Sequence, residues 1–278
     1  MRCRKRSGRA QTAVLLALAL AAAAWADTWF VRYDPATGLF PEQDNWERLI
    51  YPPPAVRSFE NGALVIDSRA SIYTSDSYRR YFPQGGLNPG SGEMFLMRWR
   101  LRIDSIGGPW DPGVDLISDD LYRVGFMYDQ ARMIGLVEPN VFVYFTPGVF
   151  HTYELWSRDM RQYDLSIDGR HARTGALLDN AAFPPPFVSW GDITQGGSSL
   201  SRWSFFEFGV VAQAPVGDLN CDGVVNFNDI NPFVLALTDP LAYMHAYWAC
   251  NILNGDTNRD GIVDFADISP FVALLVGE

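Results

Sequence analysis

Two segments of this chain, residues 218–229 and 256–267, align without a gap at an offset of 38 residues. In each segment, oxygen-bearing side chains stand at positions one, three, five, nine and twelve, and glycine stands at position six. Each segment continues into an apolar run of nearly the same text, which begins Ile-Asn-Pro-Phe-Val in the first copy and Ile-Ser-Pro-Phe-Val in the second. The repeat predicts two copies of one loop–helix unit, with helices over residues 229–237 and 267–275.

The spacing of these oxygens indicates calcium binding. Ca²⁺ is a hard cation that takes about six to eight oxygen ligands, and the glycine allows the sharp turn that wraps them around one point. We therefore expect two Ca²⁺ ions, with a main-chain carbonyl at position seven and a water-mediated ligand at position nine. The candidate ligands are Asp218, Asn220, Asp222, Val224, Asn226 and Asp229 in the first loop, and Asp256, Asn258, Asp260, Ile262, Asp264 and Asp267 in the second.

The two units resemble the tandem EF-hand-type repeats of a type I dockerin, over the whole of residues 216–278. Position twelve is aspartate here, as in dockerins, whereas an ordinary EF-hand has glutamate there. The other interpretation is a pair of Asp/Asn-rich turns without metal, which the second copy and its matching helix disfavour. The resemblance implies docking onto a cohesin-like protein of a scaffold or a cell surface.

The positions that dockerins use for recognition depart from the family pattern. Many members carry Ser-Thr at loop positions ten and eleven, where this chain has Phe227-Asn228 and Phe265-Ala266. The departure speaks against a cohesin of the familiar type. Phe227 and Phe265 are either exposed anchors for a partner or core residues of the small module, and we expect the core.

Residues 1–26 have the pattern of a secretory signal peptide. Basic residues precede an apolar run over residues 12–24, and Ala24-Trp25-Ala26 places small residues at the positions that a signal peptidase inspects. The run is short for a transmembrane span, which needs about 20 residues; an uncleaved anchor is the other interpretation. We expect a secreted or cell-surface protein with no membrane span after cleavage.

Signal cleavage also changes the cysteine count and the charge. Cys3 leaves with the signal, so Cys221 and Cys250 remain as a pair in an oxidising compartment, and we expect a disulfide rather than two buried thiols. Cleavage removes five of the 22 basic residues and none of the 32 acidic ones. A chain this acidic lacks the basic patch that nucleic acid requires, so nucleic acid is excluded as a partner.

Residues 27–213 show the pattern of an all-β domain, and the composition changes at its end. The clearest strand is residues 94–103, in which the odd-numbered side chains from Phe95 to Ile103 form an apolar face. Asp168-Gly169 between two strand-like runs predicts a hairpin. Many short strands separated by turns favour a sandwich or a barrel. The other predicted strands are residues 63–67, 121–128, 133–136, 141–145, 151–157, 163–167 and 203–211.

Part of this domain resembles laminin-G and concanavalin A-like jelly rolls. The resemblance rests on His-Thr-Tyr-Glu-Leu-Trp at residues 151–156, on Tyr-Asp-Leu-Ser-Ile-Asp-Gly-Arg at residues 163–170, and on the closing run 203–211. It implies a two-sheet sandwich. That superfamily contains lectin-type binders as well as glycoside hydrolases, so the fold alone does not decide whether the chain is an enzyme.

One segment matches a hydrolase motif of that superfamily. Residues 42–47 read Glu-Gln-Asp-Asn-Trp-Glu, and in the hydrolases the outer glutamates of Glu-x-Asp-x-x-Glu are nucleophile and general acid. The intervening residues there are apolar, whereas Gln43 and Asn45 are polar, and a loop-like stretch precedes the segment. We therefore assign no catalytic residue. His151, His171 and His245 are scattered without a zinc spacing.

Tryptophan is frequent in the β domain. Trp110 and Trp190 in loop-like surroundings are candidates for stacking on sugar rings, whereas we expect Trp99, Trp156 and Trp203 to be buried.

Together the patterns predict a secreted, non-catalytic protein whose jelly roll binds a polysaccharide or a surface partner and whose calcium module tethers it. The competing hypotheses are a polysaccharide-degrading enzyme and a structural envelope protein. Because metal binding and folding are coupled in small modules, chelator should unfold residues 216–278 and leave residues 27–213 largely folded.

Overall fold

The structure, a computed structural model, describes the chain from residue 29 onward with short gaps. The predicted signal segment, residues 1–26, lies outside the described residues, and so does Trp110. The described ranges are residues 29–83, 86–107, 111–118, 122–129, 132–135, 142–179, 186–194 and 196–277.

Within these ranges the chain forms an N-terminal set of strands followed by short helices. The strands are β1 (Trp29–Tyr33), β2 (Glu47–Tyr51), β3 (Val56–Glu60), β4 (Ala63–Asp67), β5 (Ser75–Tyr81), β6 (Glu93–Ile106), β7 (Gly113–Ile117), β8 (Tyr122–Tyr128), β9 (Arg132–Gly135), β10 (Phe142–Tyr144), β11 (Phe150–Ser157), β12 (Gln162–Ile167), β13 (Arg170–Ala176), β14 (Leu178–Asp179), β15 (Phe187–Asp192) and β16 (Ser199–Ala212). The α-helices are α1 (Ile230–Thr238), α2 (Pro240–Ala246) and α3 (Ile268–Val276).

In the described part of the chain these strands form two antiparallel sheets of eight. The first sheet has the order β13-β12-β11-β6-β16-β4-β3, with β1 also paired to β16. The second has the order β10-β9-β8-β7-β15-β5-β2, with β14 paired to β8. The sheets face each other across one apolar core, so the prediction of a mainly β sandwich is confirmed.

Strand β6 shows how the sequence pattern creates that core. Its odd-numbered residues from Phe95 to Ile103 are at most 3 % exposed, because successive side chains of a strand point to opposite faces. They pack between the sheets with Trp190 and Trp203. Trp190 stacks on Phe206 with ring centroids 5.3 Å apart. The apolar face predicted for this strand is confirmed.

Strand β15 is not among the strands predicted from the sequence, because its polar and apolar residues do not alternate. All six of its residues are buried, and a strand covered on both faces has no polar side to mark its period. Trp190 lies within it and has no exposed surface. The prediction that Trp190 lies in a loop where it can stack on a sugar is therefore wrong.

The predicted hairpin at Asp168-Gly169 joins β12 to β13. Both turn residues have positive φ, +52° and +76°, which is the backbone of the two-residue turns that match strand twist. Asp168 also accepts hydrogen bonds from His151 Nδ1 at 2.6 Å and from the Thr152 main-chain nitrogen at 2.8 Å. The hairpin is thereby fixed to the neighbouring strand β11.

The C-terminal segment folds around a small core of its own. Helices α1 and α3 each begin and end one residue later than predicted, and Phe233 of α1 stacks on Phe271 of α3 at 4.1 Å. Helix α2 lies inside residues 238–255, for which no helix was predicted; Pro240 begins it and Asp239 caps it. No helix in the described residues is long and apolar enough to cross a bilayer.

This segment packs against the outer face of the first sheet. Met94 and Leu96 of β6 pack there together with Ala249. Phe30 of β1 contacts the ring of Trp248 at a centroid distance of 4.4 Å. The even-numbered face of β6, which reads as the polar side of a half-buried strand, is therefore largely covered.

A charged cluster lies buried in the same contact. Arg98 has no exposed surface; its Nε donates to Glu154 Oε2 at 2.7 Å and its Nη1 to Glu207 Oε1 at 2.8 Å. Arg32 Nη1 approaches Glu207 from the other side at 3.5 Å. Arg98 also donates to three carbonyls of the C-terminal segment, those of Met244, Trp248 and Cys250, at 3.5, 3.4 and 3.2 Å. We call Arg32, Arg98, Glu154 and Glu207 the interface charge cluster.

In this cluster, burial and the oppositely charged neighbours act in opposite directions on the pKa values of Arg98 and Glu207. Burial acts to lower the pKa of Arg98, but Glu154 and Glu207 raise it by more, so the guanidinium remains charged. Burial raises the pKa of Glu207 although Arg98 and Arg32 oppose that change. Arg98 and Arg32 therefore offset part of the cost of burying the Glu207 carboxylate.

Candidate functional site

The first repeated loop, residues 218–229, is closed by hydrogen bonds to its own main chain. Asp218 Oδ2 accepts from the Gly223 nitrogen at 2.8 Å. Asp229 Oδ1 accepts from the Leu219 nitrogen at 2.9 Å, and its Oδ2 accepts from the Asn226 nitrogen at 2.9 Å. The first and last carboxylates therefore draw the loop into a closed turn.

The second loop, residues 256–267, repeats these contacts. Asp256 Oδ2 accepts from the Gly261 nitrogen at 2.8 Å, and Asp267 Oδ2 accepts from the Asp264 nitrogen at 2.9 Å. The glycine at position six has φ +90° in the first loop and +88° in the second, a region that glycine enters without steric cost. The repeat read from the sequence thus extends to backbone geometry.

The middle positions form a second matching set of contacts. Asn220 Oδ1 accepts from the Asp222 nitrogen at 2.9 Å, and Asp222 Oδ1 accepts from the Val224 nitrogen at 3.0 Å. The corresponding distances in the second loop are 2.8 Å for Asn258 to Asp260 and 3.0 Å for Asp260 to Ile262. Both loops therefore place oxygens at consecutive odd positions along the same curve.

The ninth position of each loop begins the turn that enters the helix. Asn226 Oδ1 accepts from the Asn228 nitrogen and Asp264 Oδ1 accepts from the Ala266 nitrogen, each at 2.7 Å. In the described residues no group of three or more His, Cys, Asp or Glu side chains is close enough to hold a metal ion. The loop aspartates are thus arranged in the predicted order without being gathered at one point.

Asp218 nevertheless lacks a partner for one oxygen. Its side chain is buried, and no hydrogen-bond donor in the described part of the chain reaches Oδ1. Burial raises the pKa of Asp218, and the carboxylates of Asp229 and Asp222 raise it further. A buried carboxylate oxygen without a partner is costly, and a cation would offset that cost. An oxygen-only donor set of carboxylates, amides and carbonyls fits Ca²⁺.

The predicted disulfide lies beside the first loop. Cys221 and Cys250 are bonded, with their Cα atoms 5.8 Å apart, so the predicted pairing is confirmed in the structure. The bond ties position four of the first loop to the segment that leads into the second. Cys250 is also the residue whose carbonyl accepts from Arg98, so the bridge links the loop to the interface charge cluster.

Equivalent apolar residues of the two units are exposed to equal extents. Phe227 and Phe265 are 71 % and 72 % exposed, so the expectation that they lie in the core of the module is wrong. Val234 of α1 and Val272 of α3 are also exposed to nearly the same extent, 50 % and 49 %. The repeat therefore presents two similar apolar surfaces, one from each loop–helix unit.

A cleft of about 600 Å³ lies between the sandwich and the second loop. Trp156 is one of its walls and is partly exposed, so the prediction of a buried Trp156 is wrong. The guanidinium of Arg158 lies 5.3 Å from the centre of that ring. The other lining residues are Asp164, His171, Val216, Leu253, Asp256, Arg259, Asp260 and Gly261.

Sequence reasoning did not find this cleft. Its walls come from β11, β12 and β13 on one side and from the second loop on the other, and no spacing relates them. The bridge between Arg170 and Ile262 brings them together, supported by a hydrogen bond from the His171 nitrogen to the Gly261 carbonyl at 2.7 Å.

The hydrolase-like segment, residues 42–47, does not lie on a central strand. It begins within a 3₁₀ turn and ends at the first residue of β2, the last strand in the order of its sheet. Glu42 accepts from Arg57 Nη1 at 2.9 Å and from Nη2 at 2.8 Å. Burial acts to raise the pKa of Glu42, but the bonds from Arg57 outweigh it and lower the pKa. Glu42 is therefore held as an ionised partner of Arg57.

Comparison with known proteins finds likeness only at the level of structure. No protein-family model and no curated protein matches the sequence. A carbohydrate esterase of the Shiga toxin-encoding bacteriophage phi24B is similar, with 12 % identity, a TM-score of 0.50, and coverage of 66 % of this chain and 99 % of that one.

Two further solved structures are similar at lower TM-scores. An endo-1,3-beta-glucanase from Streptomyces sioyaensis has 14 % identity, a TM-score of 0.47, and coverage of 69 % of this chain and 98 % of that one. The cellulose induced protein Cip1 has 13 % identity, a TM-score of 0.43, and coverage of 66 % and 97 %. Structural likeness at identities this low shows the fold and not the activity. The strands of this chain form a two-sheet antiparallel β-sandwich similar to that of the phage carbohydrate esterase, followed by a few short C-terminal helices.

Proposed function

We propose that residues 216–278 form a dockerin-like module that binds two Ca²⁺ ions. The observation that carries the proposal is the buried, unpartnered Oδ1 of Asp218 in a loop whose hydrogen bonds recur in residues 256–267. In the first loop Asp218, Asn220, Asp222 and Asp229 would supply side-chain oxygens, Val224 its carbonyl, and Asn226 a water-mediated contact. Asp256, Asn258, Asp260, Ile262, Asp264 and Asp267 take the same roles in the second.

Calorimetric titration of the mature chain with Ca²⁺ tests this proposal. Asp222→Asn and Asp260→Asn remove one negative charge from each loop, while Asn keeps an acceptor for the following main-chain nitrogen. Because both residues are exposed, the fold should tolerate the changes. Affinity at each loop should fall at least about tenfold, which corresponds to 1.4 kcal/mol.

The matched control is Glu47→Gln, which removes an exposed carboxylate from strand β2 in the sandwich. It should leave the titration unchanged. A double loop variant that binds Ca²⁺ as tightly as the parent chain would overturn the proposal.

The module's partner is inferred from its surface. Phe227 and Phe265, with Val234 and Val272, place two similar apolar faces in solvent, and exposed apolar patches of this kind mark protein interaction sites. We infer that the module docks onto a protein partner, cohesin-like in role, on a scaffold or a cell surface. The disulfide and the N-terminal sequence pattern support secretion.

We further propose that the sandwich is a non-catalytic carbohydrate-binding domain. The supporting observation is the cleft at Trp156, where an aromatic face stands beside the charged side chains of Arg158, Asp164 and His171. An apolar ring with a few convergent polar groups suits a polyhydroxylated ligand. The fold shared with the phage carbohydrate esterase is compatible with that ligand class.

Binding of soluble polysaccharides to the full chain by calorimetry tests the carbohydrate proposal. Trp156→Ala should weaken binding by at least about tenfold, since losing the burial of one large apolar side chain costs roughly 1.5–3 kcal/mol. Tyr73→Ala, which removes an exposed aromatic ring from a turn of the sandwich, should change nothing. A heat signal that saturates supports a binding domain. Heat that continues after each injection would reveal turnover and favour the hydrolase hypothesis. No heat with any polysaccharide would favour a structural role.

A further inference from the structure

Two aspartates at one end of the sandwich are buried without a basic partner among the described residues. Asp111 lies two residues before the start of β7 and Asp192 is the last residue of β15, and neither has exposed surface. Gly113 of β7 pairs with Gly191 of β15, which places Asp111 and Asp192 together at that end of the two strands, where each acts on the pKa of the other. Among the described residues, no basic side chain acts on either carboxyl; Asp76, which also acts on Asp192, is itself acidic and pairs with Arg48.

Several buried polar atoms around these two aspartates lack a hydrogen-bond partner among the described residues. Ser68 Oγ reaches Asp111 Oδ2 only at 3.5 Å, the outer limit of a hydrogen bond. Among the described residues, Asp111 Oδ1, both carboxylate oxygens of Asp192 and Ser199 Oγ have no hydrogen-bond partner of good geometry, although Ser68 also lies close enough to Asp192 to lower its pKa. Ser68 and Ser199 are themselves buried and joined by a hydrogen bond from the Ser199 nitrogen to Ser68 Oγ at 2.8 Å.

Two arrangements could relieve facing carboxylates in a buried site. A proton shared between them would satisfy one oxygen on each acid, as in carboxylate pairs that cannot both ionise. It would still leave the hydroxyl of Ser199 without a partner among the described residues. A hard divalent cation collects six or more oxygen ligands, so one ion would neutralise both carboxylates and take serine hydroxyls as further ligands.

We propose that Asp111 and Asp192, with the hydroxyl oxygens of Ser68 and Ser199, form a calcium site separate from the two C-terminal loops. Calcium is favoured over magnesium because Mg²⁺ retains several waters, and the buried pocket has little access to solvent. Every side-chain donor is oxygen, which disfavours zinc and copper. The ion would neutralise the two carboxylates that no basic side chain pairs.

The position of the pocket indicates what the ion does. Ser68 follows β4 and Ser199 begins β16, both in the first sheet, whereas Asp111 and Asp192 flank strands of the second. An ion bound by all four would join the two sheets at that end of the sandwich. It therefore stabilises the fold of the sandwich, independently of the docking module.

The test counts calcium bound per chain by equilibrium dialysis of the full mature chain. The parent should bind three ions, and the Asp222→Asn, Asp260→Asn background should retain one tight ion. Adding Asp192→Asn to that background should remove the remaining ion and abolish the calcium-dependent rise in the melting temperature of the sandwich. Glu47→Gln, added to the same background as a control, should leave the ion bound.

The variant Asp111→Asn distinguishes a calcium site from a proton that the two aspartates share. Its amide supplies a donor to Asp192 as a protonated acid would, so a shared-proton pair predicts an unchanged or higher melting temperature at neutral pH and no bound calcium. A calcium site predicts loss of the ion and a lower melting temperature in calcium. Two ions on the parent and none on the loop background would overturn this inference and leave the proposed docking module intact.

Discussion

Replacing Arg98 by methionine should destabilise the folded chain by about 3–5 kcal/mol, the usual cost of leaving a buried charge without its partner. The substitution removes the donors to Glu154 at 2.7 Å and to Glu207 at 2.8 Å. It also leaves the carbonyls of Met244, Trp248 and Cys250 without the guanidinium. Urea unfolding of the parent and the variant measures the difference.

The effect should depend on pH in a defined direction. Burial already raises the pKa of Glu207 with Arg98 present. Without Arg98 the folded-state pKa rises further above the unfolded value, so the folded state binds more protons and stability increases as pH falls through the folded-state pKa. The deficit of Arg98→Met should therefore shrink on acidification.

Two companion variants identify the cause. Arg100→Met changes the neighbouring position on the same face of β6, where the side chain is half-buried and donates to Thr152 Oγ1 at 3.1 Å; it should cost at most about 1 kcal/mol. Adding Glu154→Gln and Glu207→Gln to Arg98→Met should recover part of the loss, because neutral amides need no counter-charge. Equal losses for Arg98→Met and Arg100→Met would show that the buried charges are unimportant.

Removing calcium should lower the stability of the C-terminal module and of the sandwich together. If the loops bind Ca²⁺, each ion contributes about 2.7 kcal/mol at a free concentration of one hundred times its dissociation constant. The segment that the loops organise supplies three carbonyls to Arg98 and covers Met94 and Leu96. Its unfolding would expose the interface charge cluster on the first sheet.

Differential scanning calorimetry in calcium and in excess chelator checks this expectation. Chelator should produce an early transition of the C-terminal module, followed by a sandwich transition at a lower temperature than in calcium. Sequence patterning alone predicted that residues 27–213 would be largely unaffected, and the buried contact is the reason to expect otherwise. Asp222→Asn with Asp260→Asn should reproduce the module's early transition in calcium. Superimposable scans with and without chelator would contradict both the calcium proposal and the coupling.

Local patterns were sufficient wherever neighbours in sequence decide the structure. The alternation in β6, the Asp168-Gly169 turn and the repeated loops with their helices depend on backbone preferences and spacing within a dozen residues. Patterns failed where distant parts of the chain decide whether a side chain is covered. β15 is covered on both faces and has no polar side, whereas Phe227 and Phe265 are apolar residues that the fold leaves in solvent.

The sequence by itself determined the sandwich class, the repeated loop chemistry and the cysteine pair, because each follows from residue types at fixed short spacings. Only the tertiary structure decided which surfaces meet. Arg98 joins Glu154 across 56 residues of sequence, Glu207 across 109 and the Cys250 carbonyl across 152. Asp111 likewise meets Asp192 only because β7 and β15, which are far apart in the sequence, pair in the second sheet. Contacts at such separations depend on which strands pair and on how the C-terminal segment packs against the sheet, and no local spacing encodes that arrangement.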